Sequence, residues 1–317
     1  MKITEYLSRS TETLFSFEIL PPLKGDSIQT IFDGIDPLME FKPKFVDVTY
    51  HREEFAYKNN SDGTISKMTI RKRPGTVGIC AGIMNRYKVD AVPHVLCGGF
   101  TKEETENMLL DLHFLGIDNV LVLRGDPVKS EGIFNPHPDG YCYATELLEA
   151  VENMNKGIYQ DSSLISPSPT NFCTGVAAYP EKHFEAASFE SDMKFLKMKQ
   201  DMGADYIVTQ MFFDNTKYFE WVKSCRENGI TIPIIPGLKP LTTKKQMDIL
   251  PKIFYLHMPD EFKRAVHEAK DDNAAKEIGI EWCIQQSKEL MAAGAPVLHY
   301  YTMSKSQAVK KICEAIF

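Results

Sequence analysis

The chain has 317 residues, 43% hydrophobic and 25% charged, so a core of ordinary size is available and disorder as the main state is excluded. Its 36 Lys and Arg against 43 Asp and Glu give a net charge of -7 with no basic tail or patch, which excludes nucleic acid as the main partner. No run approaches the roughly 20 apolar residues of a membrane span, and the N-terminal MKITEYLSRSTETLF is charged where a signal peptide is apolar. The 7 cysteines are odd in number and widely spaced, and no C-x-x-C or H-E-x-x-H occurs. We read free thiols in a reducing cytoplasm and no metal.

Short β-rich runs recur along the chain: LFSFEIL at 14–20, FVDVTY at 45–50, AVPHVL at 91–96, NVLVLR at 119–124, CTGVAAY at 173–179, DYIVTQM at 205–211, IPIIP at 232–236 and VLHYYT at 297–302. Most are apolar at nearly every position, as strands buried on both faces are. Helical periodicity fills the intervals. The segment 102–115 has Thr101 as N-cap and Glu104 three residues on, a capping box, and Gly116 ends it. Further helices are read at 143–155, 191–202, 216–228 and 304–317, with two or three between 242 and 293. The basic run Arg71-Lys72-Arg73 reads as a solvated helix end. The stretches 126–141 and 160–171 read as loops, the second on the face of a barrel that does no chemistry. Eight strand–helix repeats predict an α/β protein, a single (β/α)8 TIM barrel over 1–317. A doubly wound sheet is the alternative; it would open with a G-x-G-x-x-G after the first strand, where this chain has Glu18-Ile19-Leu20-Pro21-Pro22.

In such a barrel the chemistry sits at the carboxyl ends of the strands. Those ends supply Glu18; Thr49 and Tyr50; His94; Arg124-Gly125-Asp126; Tyr179, with Glu181 and His183 beyond it; Gln210; Gly237 and Lys239; and Tyr301. Alternation places Leu14, Ser16 and Glu18 on the inward face of the first strand. A carboxyl there holds its proton and suits a general acid, or else it is paired with Arg124 or a lysine from another strand. Arg124-Gly125-Asp126 offers a forked donor, a glycine that lets a ligand approach, and an acceptor, or is a strand-end turn. Tyr179, Glu181 and His183 suit a stacked or phosphorylated ligand, or form a helix-entry loop. Gln210 can hydrogen-bond a heterocycle edge or its own neighbours. Asp192 and Lys199, seven apart, share a helix face.

Together SFEILPP, KPKFVDVTY, PHVLC, GIDNVLVLRGDP, VAAYPEKHFEA, LKMKQDMGAD, IVTQMFFD, IPIIPGLKP and HYYTMSK resemble the methylenetetrahydrofolate reductase family, in its short bacterial-type form, from about Phe15 to Phe317. The resemblance implies a cytoplasmic flavoprotein that binds FAD and lets NADH or NADPH and a folate take turns at the flavin, making 5-methyltetrahydrofolate for methionine synthesis. It implies that Glu18 is the acid that opens the five-membered ring of 5,10-methylenetetrahydrofolate, and that Asp126 lies near both flavin and pterin. Thr49, Tyr50, His94, Arg124, Gly125, Tyr143, Ala144, Tyr179, His183, Ala186, Asp192 and Lys199 match FAD-side positions. Gln210, Gln246, Tyr301 and Lys305 fall on the folate side. A homo-oligomer is implied as well. Departures are Phe195 and Met198 at usually polar FAD contacts, His51-Arg52-Glu53 in place of a small segment, Leu250 near a usually aromatic position, and Lys305 for a common arginine. Two rivals are a proline-dehydrogenase-like flavin barrel and a non-catalytic folate-binding barrel.

Overall fold

The computed structural model describes residues 1–127 and 132–317; part of the 126–141 loop lies outside them. In chain order the strands are β1 (Leu14–Ile19), β2 (Phe45–Val48), β3 (Glu54–Asn59), β4 (Ile65–Ile70), β5 (Asp90–Leu96), β6 (Asn119–Leu123), β7 (Cys173–Ala178), β8 (Tyr206–Thr209), β9 (Ile234–Ile235), β10 (Gly237–Leu238) and β11 (Val297–Tyr301). The helices are α1 (Ile3–Arg9), α2 (Gln29–Ile35), α3 (Thr76–Tyr87), α4 (Lys102–Phe114), α5 (Ala144–Asn155), α6 (Phe189–Asp201), α7 (Asn215–Glu227), α8 (Lys244–Phe254), α9 (Asp260–Glu268), α10 (Asp272–Ala292) and α11 (Gln307–Ile316).

The main sheet is parallel, in the order β10-β11-β1-β2-β5-β6-β7-β8-β9. Its two ends are halves of one strand, interrupted at Pro236, which has no N–H to give to a ladder. The His299 N–H donates to the Pro236 carbonyl at 3.2 Å, and the Gly237 N–H donates to Thr209 Oγ1 at 3.0 Å. The sheet therefore closes on itself as a (β/α)8 barrel. Each run read from the sequence as a strand contributes to that wall. Outward residues such as Phe15, Phe17 and Ile19 pack against the helix layer, Ile312 of α11 and Ile35 of α2 among it, in one large core.

The helix punctuation follows local chemistry. Thr101 Oγ1 accepts from the Glu104 N–H at 3.1 Å, and the Glu104 carboxylate accepts from the Thr101 N–H at 2.8 Å, closing the box that the sequence announces. The segment from 242 to 293 holds three helices, α8 to α10. Several features go beyond the sequence reading, helices α2 and α3 among them. Helix α1 plugs the barrel floor, with Ile3 fully buried among Leu14, Val92 and Val297. Strands β3 and β4 form an antiparallel hairpin outside the barrel. Arg71-Lys72-Arg73 is not a helix end: it is irregular chain between β4 and α3, where Arg71 pairs with Glu53 at 2.7 Å. Among the described residues no helix is long and apolar enough to cross a membrane.

Candidate active site

Two-residue periodicity turns the barrel interior into layers. The floor is apolar: Leu14, Phe45, Val92, Leu121, Val208, Ile235 and Val297. One step up β1, β2, β5 and β11 the chain switches to polar residues, and Ser16, Asp47, His94 and His299 are all buried. Another step brings Glu18 and Tyr301, in register with each other on β1 and β11, to the mouth. Glu18 is 8% exposed. His94 Nε2 stands 3.4 Å from Glu18 Oε2 and 3.7 Å from Asp47 Oδ2. Burial raises the Glu18 carboxyl to about 7; His94 and Lys239 work against that rise and Asp47 adds to it. The ion pair with Arg124 that the sequence left open does not form. Arg124 pairs with Glu185 and stacks on Phe134, its guanidinium carbon 4.8 Å from the ring centre.

Above this layer lies a cavity of about 2110 Å³. Of the strand-end and family-matched residues named from the sequence, Glu18, Thr49, Tyr50, His94, Arg124, Gly125, Asp126, Tyr143, Ala144, Tyr179, His183, Ala186, Asp192, Lys199, Gln210, Lys239, Gln246, Tyr301 and Lys305 lie on its wall, while Gly237 does not and Glu181 turns away to accept from the His257 N–H. On the β6–β7 side, Tyr179 and His183 meet edge to face at 4.6 Å, and Asp192 fixes the loop by accepting from the His183 N–H at 2.9 Å. Lys199 donates to the Ala177 carbonyl at 2.9 Å; burial lowers its pKa to about 8, against the pull of Asp192. Gly125 has φ +89°, a backbone conformation that residues with a Cβ rarely adopt, and it stands on the cavity wall with no side chain of its own. Thr49 Oγ1 is buried without a hydrogen-bond partner.

Three residues on the far wall are partly committed. The Tyr301 hydroxyl donates to the Thr209 carbonyl at 2.6 Å, so its ring face, not its hydroxyl, is presented. The Gln246 side-chain oxygen accepts from the Thr242 N–H at 2.7 Å and caps α8, which leaves its amide nitrogen to the cavity. Gln210 Oε1 accepts from its neighbour Met211 N–H at 2.9 Å. The sequence reading passed over Asp47 and His299, although the alternation of FVDV and VLHY turns both inward. A buried carboxyl with a raised pKa at the mouth of a barrel, under a cavity of this volume, marks a candidate enzyme active site.

The family model for methylenetetrahydrofolate reductase matches residues 2–316. The chain is 32% identical along its whole length to methylenetetrahydrofolate reductase 1 of Schizosaccharomyces pombe and covers 48% of that protein. It is 30% identical over 95% of its length to the 5,10-methylenetetrahydrofolate reductase of Escherichia coli and covers 90% of that one. Among solved structures it superposes on a Clostridium thermocellum protein described as binding two copies of 5-methyl-5,6,7,8-tetrahydrofolic acid, with a TM-score of 0.58, 14% identity and coverage of 99% and 98% of the two chains. At that identity the likeness supports the fold. The chain belongs to the methylenetetrahydrofolate reductase family. It spans about half the length of the yeast and plant relatives it matches.

Proposed function

We propose that this protein, as one flavin-binding barrel of the cytoplasm, reduces 5,10-methylenetetrahydrofolate to 5-methyltetrahydrofolate for methionine synthesis, with FAD bound and NADH or NADPH as the donor. The observation that carries this reading is the buried Glu18 carboxyl, raised to about 7, at the foot of the cavity. The residues present fit FAD. A volume of about 2110 Å³ is roughly twice the upper end of a common ligand pocket of about 1,000 Å³ and suits a dinucleotide with a second ligand beside it. The unpartnered Thr49 hydroxyl asks for a ligand atom, and Gly125 leaves room for one. Arg124, His183 and Lys199 would hold the anionic part, while Tyr179, Tyr143 and Ala144 would line the apolar part. When bound, FAD supplies the hydride relay between the nicotinamide and the folate in alternating half-reactions.

The chain's own residues supply the acid and the geometry. Glu18 gives its proton to folate N10; the bond from N10 to the bridging carbon breaks, and N5 keeps that carbon as an iminium ready for hydride. Asp126 accepts from the pterin, Gln210 and the free amide of Gln246 hydrogen-bond its edges, the Tyr301 ring lies alongside, and Lys305 meets the glutamate carboxylate. Glu18 then takes a fresh proton from water at the mouth when product leaves. The direct test is colour: purified protein should be yellow and release FAD on denaturation. A colourless protein that cannot be reconstituted with FAD, yet binds folate, would replace this reading with a non-catalytic folate barrel. Asp126→Asn should keep FAD and slow folate reduction by roughly tenfold or more, the loss of one charge-assisted hydrogen bond. Unchanged folate kinetics would remove Asp126 from the site.

A further inference from the structure

Below Glu18 lies a second buried carboxyl that the reaction outlined above does not use. Asp47 is 0% exposed, and on β2 it sits in register with Glu18 on β1. Neither of its carboxyl oxygens has a hydrogen-bond partner. Its neighbours are imidazoles. One nitrogen, His94 Nε2, faces both carboxyls, 3.4 Å from Glu18 Oε2 and 3.7 Å from Asp47 Oδ2. His299 is held by a 2.9 Å hydrogen bond between its Nδ1 and Ser16 Oγ, and its Nε2 is buried without a partner, as is the Tyr206 hydroxyl. An apolar residue of similar volume would fill this barrel layer at far lower cost than an unpaired acid. A buried acid beside a second acid is the arrangement that sets protonation states at reaction sites.

We propose that Asp47 is a positioning residue for proton donation: set across His94 from Glu18, its carboxylate keeps the Glu18 carboxyl in the protonated, donating form. The proposal rests on the reading of Glu18 as the acid. Two largely buried carboxyls around one imidazole repel each other when both ionise. Every other charged group facing Glu18 acts in the opposite sense. His94 from β5 and Lys239 beyond β10 favour its ionised form, and Lys305 acts on Lys239. Tyr301 from β11 faces it as a neutral phenol. Asp47 in turn interacts within the barrel with His299 and Tyr301 of β11 and Tyr206 of β8, and through the wall with the neutral thiol of Cys80 on α3. Without Asp47 the balance of charge at Glu18 is cationic, and the proton needed for ring opening leaves at lower pH. Asp47 itself transfers nothing. In each turnover one proton passes from Glu18 to N10, and one returns from water to Glu18.

The test compares the FAD-loaded wild type with Asp47→Asn, Asp47→Ser and Asp47→Glu. In the two neutral variants the alkaline limb of the folate half-reaction should move down by about one pH unit. The rate then falls about tenfold at alkaline pH and returns at acid pH. Asp47→Glu should keep the limb in place, and the nicotinamide half-reaction should be unchanged at every pH in all three. A second readout needs no turnover: the infrared band of a protonated carboxyl, assigned by its loss in Glu18→Gln, should persist at neutral pH in the wild type and vanish at lower pH in the neutral variants. A limb that stays put or moves up, or an equal loss in both half-reactions at all pH, overturns the proposal. Should neither neutral variant fold, the wild-type band decides. Two coupled titration steps uphold the proposal, and a single independent step overturns it. If Glu18→Gln still reduces folate, the reading of Glu18 fails; if Glu18→Gln is dead and the limb is unmoved by Asp47 substitution, only the role of Asp47 fails.

Discussion

Glu18→Gln should lower methylenetetrahydrofolate reduction by about two to four orders of magnitude while NADH- or NADPH-driven bleaching of FAD continues. The substitution is nearly isosteric. The strand is held by its backbone, because the Thr302 N–H and hydroxyl both donate to the Glu18 carbonyl, at 3.3 and 2.6 Å. What is lost is an acid able to give up a proton, since an amide N–H is far too weak. Anaerobic stopped-flow of the two half-reactions checks this. Survival of both, or loss of both with FAD still bound, would take the role from Glu18. The wild type carries a matching pH signature. With the carboxyl raised to about 7 by burial, the donor is protonated below that pH and deprotonated above it. The folate half-reaction should therefore be flat at acid pH and fall about tenfold per pH unit on the alkaline side. The nicotinamide half-reaction needs no acid and should not follow it.

Gly237→Ala should be the most damaging substitution in the barrel wall. A Cβ at this position would lie 2.2 Å from the Thr209 carbonyl oxygen and 2.5 Å from the Tyr301 hydroxyl. The first is backbone and cannot step aside. The second is the partner of that same carbonyl, so the collision breaks the contact that fixes the Tyr301 ring. The glycine also begins β10, the half-strand that closes the sheet onto β11. Overpacking of this kind costs about 1–3 kcal/mol or more, which for a chain of this size lowers the unfolding midpoint by roughly 2–5 °C or more. Thermal unfolding and the folate KM should worsen together. A midpoint unchanged within a degree would show that the wall yields.

The barrel is readable because its strands are buried on both faces and spell nearly continuous apolar runs, most with a polar residue near the carboxyl end. The direction of Glu18 was readable for the same reason, since Phe15, Phe17 and Ile19 leave only one face for it. Asp47 obeys the same alternation within FVDV, but its meaning depends on the register that sets it beside Glu18, and register is a property of two strands. The hairpin β3–β4 escaped because large apolar side chains are exposed on both its faces, Tyr57 and Ile65 on one and Met68 and Ile70 on the other. Asn60-Ser61-Asp62-Gly63 was its one legible mark, a turn with Gly63 at φ +81°. Arg71-Lys72-Arg73 was misplaced because its partners, Glu53 and the Pro21 carbonyl, are distant in sequence. The pairing of Arg124 with Glu185 and the capping duty of Gln246 likewise exist only once the loops are folded.

That hairpin forms a sheet of its own and lends no hydrogen bond to the barrel ladder. Its six-residue strands carry the Asp62-Gly63 tip roughly 20 Å from the base, while at the base His51, Arg52 and Lys72 stand on the cavity wall. The chain can therefore be cut, lengthened or labelled between Asp62 and Gly63 without disturbing the closure of the wall. A dye placed there would sit on an outrigger whose root shares the rim with whatever enters the mouth.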